Sequence, residues 1–295
     1  MNIAFIGFGE AAGAFTQGWL QNGSKPENLR AYDRKTDDPG MRAEKYAEYA
    51  KLQVLGCGTL KEAVGAAQLV VSTVTADQAL AVAAQAAPYL ETGTLYLDFN
   101  SVSPETKRAA GKLIEASGAR YADIAVMAPV HPGKLNVPLL IAGPHAGEVR
   151  DALRKLGFNA RVVEGAIGAA SSIKMIRSIM VKGLEALSAE CFLSAYQAGV
   201  EVEVLASLEE SYPGFEWPKR ADYNLDRMIV HGLRRAAEMT ECACTTEALG
   251  QTGAMARASA KWQARIGDLA LVPPEGLDAK VQAILRAFPT AETEN

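Results

Sequence analysis

The first half of the chain alternates short apolar segments with stretches of helical periodicity. Apolar runs bounded by turn residues indicate buried strands, whereas apolar positions three and four apart indicate amphipathic helices. The predicted strands cover residues 2–6, 29–32, 53–55, 69–74, 95–99, 120–126 and 138–142, and residues 159–163 form a further strand at the edge. Strands that alternate with helices are typical of βαβ units. We therefore predict an α/β domain with a doubly wound, mostly parallel sheet.

Local signals mark where helices begin. The first helix is predicted over residues 10–22. Thr59 and Glu62 have the spacing of a capping box. Ser103, Pro104 and Glu105 supply an N-cap residue, a proline at the first helical position and an acid in the first turn.

The pattern changes near residue 165. Residues 168–197 are apolar on nearly all sides, which predicts a long helix that is buried on most of its surface. Shorter amphipathic segments follow at 201–211, 220–243, 246–266 and 277–287, and the tail 289–295 is polar. We predict two domains, residues 1–164 and an all-α domain over 165–295. The long buried helix also predicts a homodimer that forms through the helical domain.

Composition narrows the choice of partners and location. The formal net charge is -4, which gives no electrostatic reason to expect nucleic acid or an anionic membrane as a partner. No apolar run reaches the length of about 18 residues needed to span a bilayer. The four cysteines lack the spacing of a disulfide framework or a CxxC pair, and there are only three histidines. We expect no metal site, no signal peptide, and a cytoplasmic protein with reduced thiols.

The turn after the first predicted strand has the pattern G-x-G-x-x-A, and it consists of Gly7, Phe8, Gly9, Glu10, Ala11 and Ala12. In the dinucleotide-binding fingerprint the first glycine makes a tight turn and the second lets the backbone approach a pyrophosphate, while the third position needs only a small side chain. The N–H groups at the start of the helix favour the anion. Asp33 follows at the end of the second strand, about 20 residues on. The first domain is therefore predicted to be a Rossmann domain that binds NAD or NADP.

The residues after the second strand bear on the choice of cofactor. Asp33 can accept hydrogen bonds from the adenosine ribose hydroxyls, and its charge would repel a 2′-phosphate, which favours NAD. Arg34 and Lys35 favour NADP, because a cation could pair with that phosphate, although both also fit solvated loop charges. We expect NAD, with NADP as the alternative.

Small and polar residues leave the carboxyl ends of two further strands, where ligands bind in such sheets. They are Thr73, Val74 and Thr75 after one strand, and Asn100 and Ser101 after the next. We expect the first four of these residues to contact the cofactor and Ser101 to contact the substrate.

At this point the chain resembles the β-hydroxyacid dehydrogenase family, which includes 3-hydroxyisobutyrate and 6-phosphogluconate dehydrogenases and is related to imine reductases. The resemblance covers nearly the whole chain, through GFGEAA, LDFNSVSP, YADIAV and a glycine-then-lysine segment that opens the helical domain. Within this family the chain resembles a divergent, phosphogluconate dehydrogenase-like subgroup.

The resemblance implies a catalytic lysine after a glycine-rich turn. Gly168 opens that turn and Lys174 is the lysine. Where the family has an asparagine one helical turn later, this chain has Ser178, with Arg177 beside it. A desolvated ammonium can exchange the hydroxyl proton that must move when hydride leaves a carbinol carbon. We expect Lys174 to be the main acid/base group, with Ser178 assisting.

The substrate-binding segments depart from the family pattern. After the sixth strand, where the family reads D-x-P-V-S-G-G, this chain has Val126 and Met127, followed by Ala128 and Pro129. His231 stands where the resemblance implies a second lysine near the nicotinamide, and it could donate a proton instead. Carboxylate or phosphate could be clamped by arginines, for which the candidates are Arg177, Arg234 and Arg235, although a salt bridge on the helix surface also explains any one of them.

The sequence is compatible with three functions. An NAD(P)-dependent dehydrogenase or reductase acting on a small polar hydroxy or oxo compound, similar to a hydroxy acid, fits the motifs best. An imine reductase-like enzyme would tolerate an apolar pocket, as Met127 suggests. A non-catalytic dinucleotide-binding protein would keep the fold without the chemistry.

Overall fold

The computed structural model describes residues 1–288, so the predicted polar tail 289–295 lies outside the described residues. The chain divides into two compact units, Met1–Met175 and Ile176–Asn295. The sequence placed the domain boundary after residue 164. The first unit continues further because Ala169 and Ala170, at the start of a long helix, pack against Ala125, Leu140 and Ala142 of the sheet.

The first unit contains one eight-stranded sheet. Its strands are β1 (Asn2–Ile6), β2 (Asn28–Tyr32), β3 (Leu55–Gly56), β4 (Leu69–Ser72), β5 (Leu95–Asp98), β6 (Arg120–Val126), β7 (Leu139–Ala142) and β8 (Ala160–Val162). The strand order is β3-β2-β1-β4-β5-β6-β7-β8, and every pair is parallel except β6 with β7. The prediction of a doubly wound, mostly parallel sheet is confirmed.

Helices cover this sheet, and three of them begin where the sequence signals predict. They are α1 (Glu10–Gln21), α2 (Pro39–Lys51), α3 (Leu60–Val64), α4 (Ala79–Ala86), α5 (Pro104–Ala116) and α6 (Ala146–Lys155). The Thr59 hydroxyl accepts from the Glu62 N–H at 3.2 Å, and the Ser103 hydroxyl accepts from the Thr106 N–H at 3.3 Å. The Glu62 carboxylate accepts from the N–H of Gly58 rather than of Thr59, so the capping box is shifted by one residue.

Both faces of the sheet are buried, as expected where helices pack on both sides. Successive residues of β1 alternate between two apolar clusters, with Ile3 and Phe5 in one and Ala4 and Ile6 in the other. The third strand was predicted at residues 53–55, whereas the observed β3 lies at Leu55–Gly56. Gln53 has a left-handed φ of 54°, which strands do not adopt.

The helical unit begins within α7 (Ala169–Ala198) and continues through α8 (Glu201–Ser211), α9 (Trp217–Ala248), α10 (Ala254–Gly267) and α11 (Leu277–Ala287). The prediction of an all-α region is confirmed. The break predicted near residue 245 lies further on, where Gly250 and Gly253 take positive φ values of 82° and 63°. Across the described part of the chain, no helix combines the length and hydropathy needed to cross a bilayer.

Candidate functional site

The glycine turn between β1 and α1 is shaped differently at its two glycines. Gly7 has φ +79°, and a Cβ there would lie 2.6 Å from the Thr73 carbonyl oxygen, so this position requires glycine. Gly9 is the N-cap residue of α1 and offers no side chain to cap the helix. A Cβ at Gly9 would meet nothing within 4 Å. The turn is therefore packed against the protein at Gly7 and open at Gly9, where an anion could approach the helix start.

The other residues of the turn divide between core and surface. Phe8 and Ala12 are fully buried, and the Phe8 ring packs edge-on against Tyr49 at 5.1 Å between centroids. Glu10 is exposed and Ala11 half-buried. Any contact that Phe8 makes with a ligand would have to come from its backbone.

Asp33 is held at the end of β2 by two backbone amides. Its Oδ2 accepts from the Phe8 N–H at 2.8 Å, and its Oδ1 accepts from the Lys35 N–H at 3.0 Å. Each carboxylate oxygen keeps a further lone pair. The carboxylate is thus tied directly to the glycine turn and can still accept from ribose hydroxyls.

Arg34 and Lys35 form an exposed 3-10 turn after Asp33. Hydrogen bonds from Thr75 and Gln78 lower the pKa of Asp77, and the charge of Arg34 adds to the effect. Arg34 therefore lies within electrostatic reach of an acidic side chain that follows β4. Thr75 itself is exposed and is the N-cap residue of a short 3-10 helix, Ala76–Gln78, which contains Asp77.

The loops that leave β4 and β5 are bonded to the glycine turn and to each other. The Thr73 hydroxyl donates to the Gly7 carbonyl at 2.8 Å. The Val74 N–H donates to Asn100 Oδ1 at 2.7 Å, and Asn100 Nδ2 donates to the Ser72 hydroxyl at 3.0 Å. Asn100 is almost fully buried. Its amide therefore fixes the two loops to one another.

Lys174 contacts Ser101, the residue that follows Asn100 in the loop after β5. The Lys174 Nζ donates to the Ser101 hydroxyl at 2.5 Å, and both side chains are half-buried. Gly168, with φ +104°, precedes the helix that carries Lys174, and a Cβ there would lie 2.6 Å from Arg108 Nη1. The structure thus brings Lys174, Ser101 and the glycine turn to one edge of the sheet.

Beneath these loops lies a buried ion cluster, consisting of Asp98, Lys107 and Asp123, which the sequence analysis missed. Asp98 and Asp123 are register partners on neighbouring strands, and all three side chains are at most 1% exposed. The Lys107 Nζ lies 3.1 Å from Asp98 Oδ1 and 3.5 Å from Asp123 Oδ1. Burial and the charge of Asp98 raise the pKa of Tyr121, so its hydroxyl stays a donor to Asp98 Oδ2 at 2.7 Å.

Val126 and Met127, at the end of β6, are half-buried and pack against the core of the first unit. The Met127 N–H donates to the Pro138 carbonyl at 2.9 Å. The Met127 side chain packs in the same cluster as Ala169 and Ala170. The structure therefore gives Met127 a packing role whatever else it contacts.

The predicted site residues of the helical unit differ from one another in burial and in their neighbours. Ser178 is buried and Arg177 exposed on α7. His231 and Arg234 line a cavity of about 490 Å³ together with apolar residues that include Leu233, Leu271 and Val272. Arg235, considered for an anion clamp, is instead buried and pairs through both Nε and Nη2 with the Glu185 carboxylate. The Arg235 guanidinium therefore already holds a carboxylate of this chain.

A doubly wound sheet with a glycine turn, an acidic residue after β2 and an open helix start defines a dinucleotide-binding α/β protein. Residues 2–157, more than half of the chain, match the family model described as the NAD binding domain of 6-phosphogluconate dehydrogenase, and the chain belongs to this family. The suspected resemblance is confirmed. Residues 195–266 match a second model, described as a domain of unknown function.

Individual proteins are similar to this chain over most of its length. An uncharacterized 28.5 kDa protein of Methanothermus fervidus is 30% identical over 82% of this chain and 89% of its own length. The crystal structure of a conserved hypothetical protein from Sinorhizobium meliloti is 39% identical, covers 98% of this chain and 97% of its own, and has a TM-score of 0.73. The Mycobacterium tuberculosis 3-hydroxyisobutyrate dehydrogenase with L-serine shares the fold, with 17% identity, coverage of 97% and 98%, and a TM-score of 0.70.

Proposed function

We propose that this protein is an NAD(P)-dependent oxidoreductase that moves hydride between the nicotinamide and a small polar hydroxy or oxo compound. The main support for this proposal is a series of hydrogen bonds that connects the glycine turn with the amine of Lys174. Thr73 bonds to Gly7, the next residue bonds to Asn100, and Ser101 accepts from Lys174. A cofactor site and a proton-transfer group are thus built on one edge of the sheet.

The residues present fit a nicotinamide dinucleotide. Gly9 leaves space at the start of α1, where backbone N–H groups and the helix dipole favour a diphosphate. Asp33 presents a carboxylate oriented by two amides, which suits ribose hydroxyls. The cofactor, when bound, supplies or accepts the hydride. The chain's own residues must then bind the substrate and move the proton.

Lys174 is the proposed acid/base group. When a carbinol is oxidised, its hydroxyl proton must be accepted as the carbon loses hydride, and the neutral amine of Lys174 accepts it. In the reverse direction the ammonium returns that proton to the carbonyl oxygen. The hydrogen bond to Ser101 fixes where the amine points, which keeps proton transfer geometrically defined.

For the helical unit taken by itself, we propose that it binds a small anion. His231 and Arg234 share a cavity whose other walls are largely apolar. A guanidinium beside an imidazole suits a carboxylate or phosphate, while apolar walls suit a short carbon chain. Arg177 and Ser178 are the further candidates on α7. This combination favours a ligand with a carboxylate or phosphate over an uncharged one.

We propose NAD as the preferred cofactor. The Asp33 carboxylate is held in place by the Phe8 and Lys35 amides, and its charge opposes a 2′-phosphate. Arg34 is partly offset by Asp77, whose pKa its charge helps to lower. Titration of the protein with NADH and NADPH should give the lower Kd for NADH, and the reverse order would overturn this choice.

We also propose a homodimer that forms through the helical unit. Apolar side chains stay exposed along α7, at Met180 and Leu187, and along α9, at Tyr223 and Val230. Exposed apolar surface of this kind is typical of protein interfaces. A second copy of the chain would cover it.

Two glycine variants test the cofactor site. Gly9→Ala should leave the thermal midpoint unchanged, because its Cβ has open space, but weaken NADH binding by at least about tenfold, because the methyl group keeps the diphosphate from the backbone. Gly147→Ala, whose Cβ also meets nothing within 4 Å, is the matched control and should leave NADH affinity unchanged. Unchanged NADH affinity in Gly9→Ala would refute the site.

The chemistry is tested with Lys174→Met on a panel of hydroxy acids, oxo acids and cyclic imines, followed by nicotinamide absorbance with both cofactors. We expect turnover of an acid substrate and a loss of kcat of about 100-fold or more in the variant. Turnover of imines alone would favour imine reduction, and tight NADH binding without any turnover would favour a non-catalytic protein. Full kcat in the variant would exclude the role of Lys174.

A further inference from the structure

The buried ion cluster connects the two segments that position Ser101 and Lys174. On one side, Asp98 Oδ1 accepts from the Asn100 N–H at 2.9 Å, immediately before Ser101. On the other, Asp123 Oδ2 accepts from the N–H groups of Gly168 at 3.1 Å and Ser171 at 3.0 Å. The first carboxylate thus fixes the loop that carries Ser101, and the second fixes the turn that begins the helix of Lys174.

Lys107 is the group that holds these two carboxylates together. Its Nζ contacts Asp98 Oδ1 and Asp123 Oδ1 and donates to the Asp98 carbonyl at 2.6 Å. Asp123 Oδ1 accepts no hydrogen bond from the residues that the structure describes. The ammonium is therefore the charge that compensates this oxygen, and without it two carboxylates on adjacent strands would repel each other in a dry environment.

Stability alone does not account for three buried charges at this place. Apolar residues of similar volume often serve a core as well as a buried ion pair does, or better. Hydrogen bonds to charged groups are, however, strongly directional. The cluster connects α5, β5, β6 and the start of α7 at defined distances, which is what a reaction between groups on two loops requires.

We propose that Lys107 is a positioning residue: by bridging Asp98 and Asp123 it sets the distance between the Ser101 hydroxyl and the Lys174 amine. The importance of this distance for turnover rests on the proposed function. The geometric part, that the bridge holds the contact of Ser101 with Lys174, can be tested without any substrate.

The main variant is the charge-balanced pair Lys107→Met/Asp123→Asn. It removes one positive and one negative charge, so the net buried charge stays the same, and the asparagine carbonyl can still accept from Gly168 and Ser171. Lys107→Met alone would leave two uncompensated carboxylates and is expected to fold poorly. The balanced pair keeps the fold while it removes the bridge.

The first measurement is the rate at which acetic anhydride acylates Lys174, followed by peptide mass spectrometry, with exposed Lys219 as the internal reference. Ser101→Ala removes the hydroxyl that accepts from Lys174 and should raise the acylation rate of Lys174 several-fold. The balanced pair should raise the rate to a similar extent. The proposal is overturned if Ser101→Ala raises the rate and the balanced pair leaves it at the wild-type value.

The second measurement is turnover, once a substrate is found. The balanced pair should lose about 10- to 100-fold in kcat, as expected for misplaced groups, with KM and the Kd for NADH within about threefold of wild type. A purely structural role would instead lower the thermal midpoint and leave kcat unchanged.

A second buried lysine provides the matched control. Lys280 lies on α11 and pairs with Asp222 at 2.7 Å. The variant Lys280→Met/Asp222→Asn also removes a buried lysine and its acidic partner, and it should change neither kcat nor the acylation of Lys174. If Lys174→Met keeps full turnover, the proposed function fails, whereas the comparison of acylation rates still decides whether Lys107 positions the amine.

Discussion

The two units of this chain stabilise their interiors in different ways. In the first unit, apolar clusters fill both faces of the sheet, and the fully buried charges gather in one cluster beneath the proposed site. In the helical unit, a smaller apolar core is accompanied by buried ion pairs between helices. Glu185 on α7 pairs with Arg235 on α9, and Lys182 on α7 pairs with Glu238 on α9.

This difference predicts where each unit is sensitive to substitution. Apolar burial is non-directional, so a sheet core tolerates changes that conserve volume. A buried ion pair depends on both partners, and loss of one leaves the other charge uncompensated. The helical unit should therefore be vulnerable at a few charged positions that lie far apart in the sequence.

The largest effect is expected for Glu185→Gln. Its carboxylate accepts from Arg235 and from Gln263 Nε2 at 2.7 Å, so the substitution leaves a buried guanidinium without its counter-charge and should cost about 3–5 kcal/mol. Urea unfolding measures the loss. Hydrogen exchange should show faster exchange in α7, α9 and α10, while β1 to β5 keep their protection.

Two variants sharpen that result. Glu185→Leu/Arg235→Met removes both charges and should recover most of the stability, because apolar side chains can replace a buried pair. Glu247 pairs with Arg257 at the surface, and Glu247→Gln should leave the unfolding midpoint unchanged. Equal losses in Glu185→Gln and Glu247→Gln would contradict the contrast between buried and exposed pairs.

Sequence patterns predicted those features of both units that depend only on residues close together in the sequence. The glycine turn and the N-cap at Ser103 are local signals, and the structure has both. The amphipathic pattern placed α8 and α11 with their observed bounds. The resemblance to a family supplied Lys174, whose position alone in a long helix marks no chemistry.

What the sequence could not give is which distant residues meet. Asp98 and Asp123 interrupt apolar strands, which was a usable signal, but nothing in the periodicity selects Lys107 of α5 as their partner. Glu185 and Arg235 are separated by 50 residues, and either could have been a surface charge. Periodicity indicates which face of a helix is buried, whereas pairing requires the relative placement of helices.

A smaller effect is expected where α9 crosses α10. A Cβ at Gly232 would lie 2.4 Å from the Gln263 carbonyl oxygen and 2.7 Å from Gly267 Cα. Because both neighbours are backbone atoms, Gly232→Ala must move the helices apart and should cost about 1–3 kcal/mol.

The matched control for that crossing is Gly183→Ala in α7, where the nearest atom to the new Cβ is Ser259 Oγ at 3.8 Å. Here alanine should stabilise by about 0.5–1 kcal/mol, because it has the higher helix propensity. Urea midpoints of the two variants should therefore move in opposite directions. A stabilised Gly232→Ala would mean that the helices do not cross at these glycines.

The smallest expected effect is a change in thiol reactivity that separates the units and tests the proposed dimer. Cys57 is buried in the first unit, and burial raises the pKa of its thiol, so alkylation by iodoacetamide should be slow at every protein concentration. Cys244 is exposed on α9, seven and fourteen residues beyond Ala237 and Val230 on the same helix face. If a second copy covers that face, alkylation of Cys244 should slow as the protein concentration rises, in step with a doubling of mass by light scattering. A doubled mass with constant Cys244 reactivity would place the interface away from this face of α9, and a single-chain mass at high concentration would contradict the dimer.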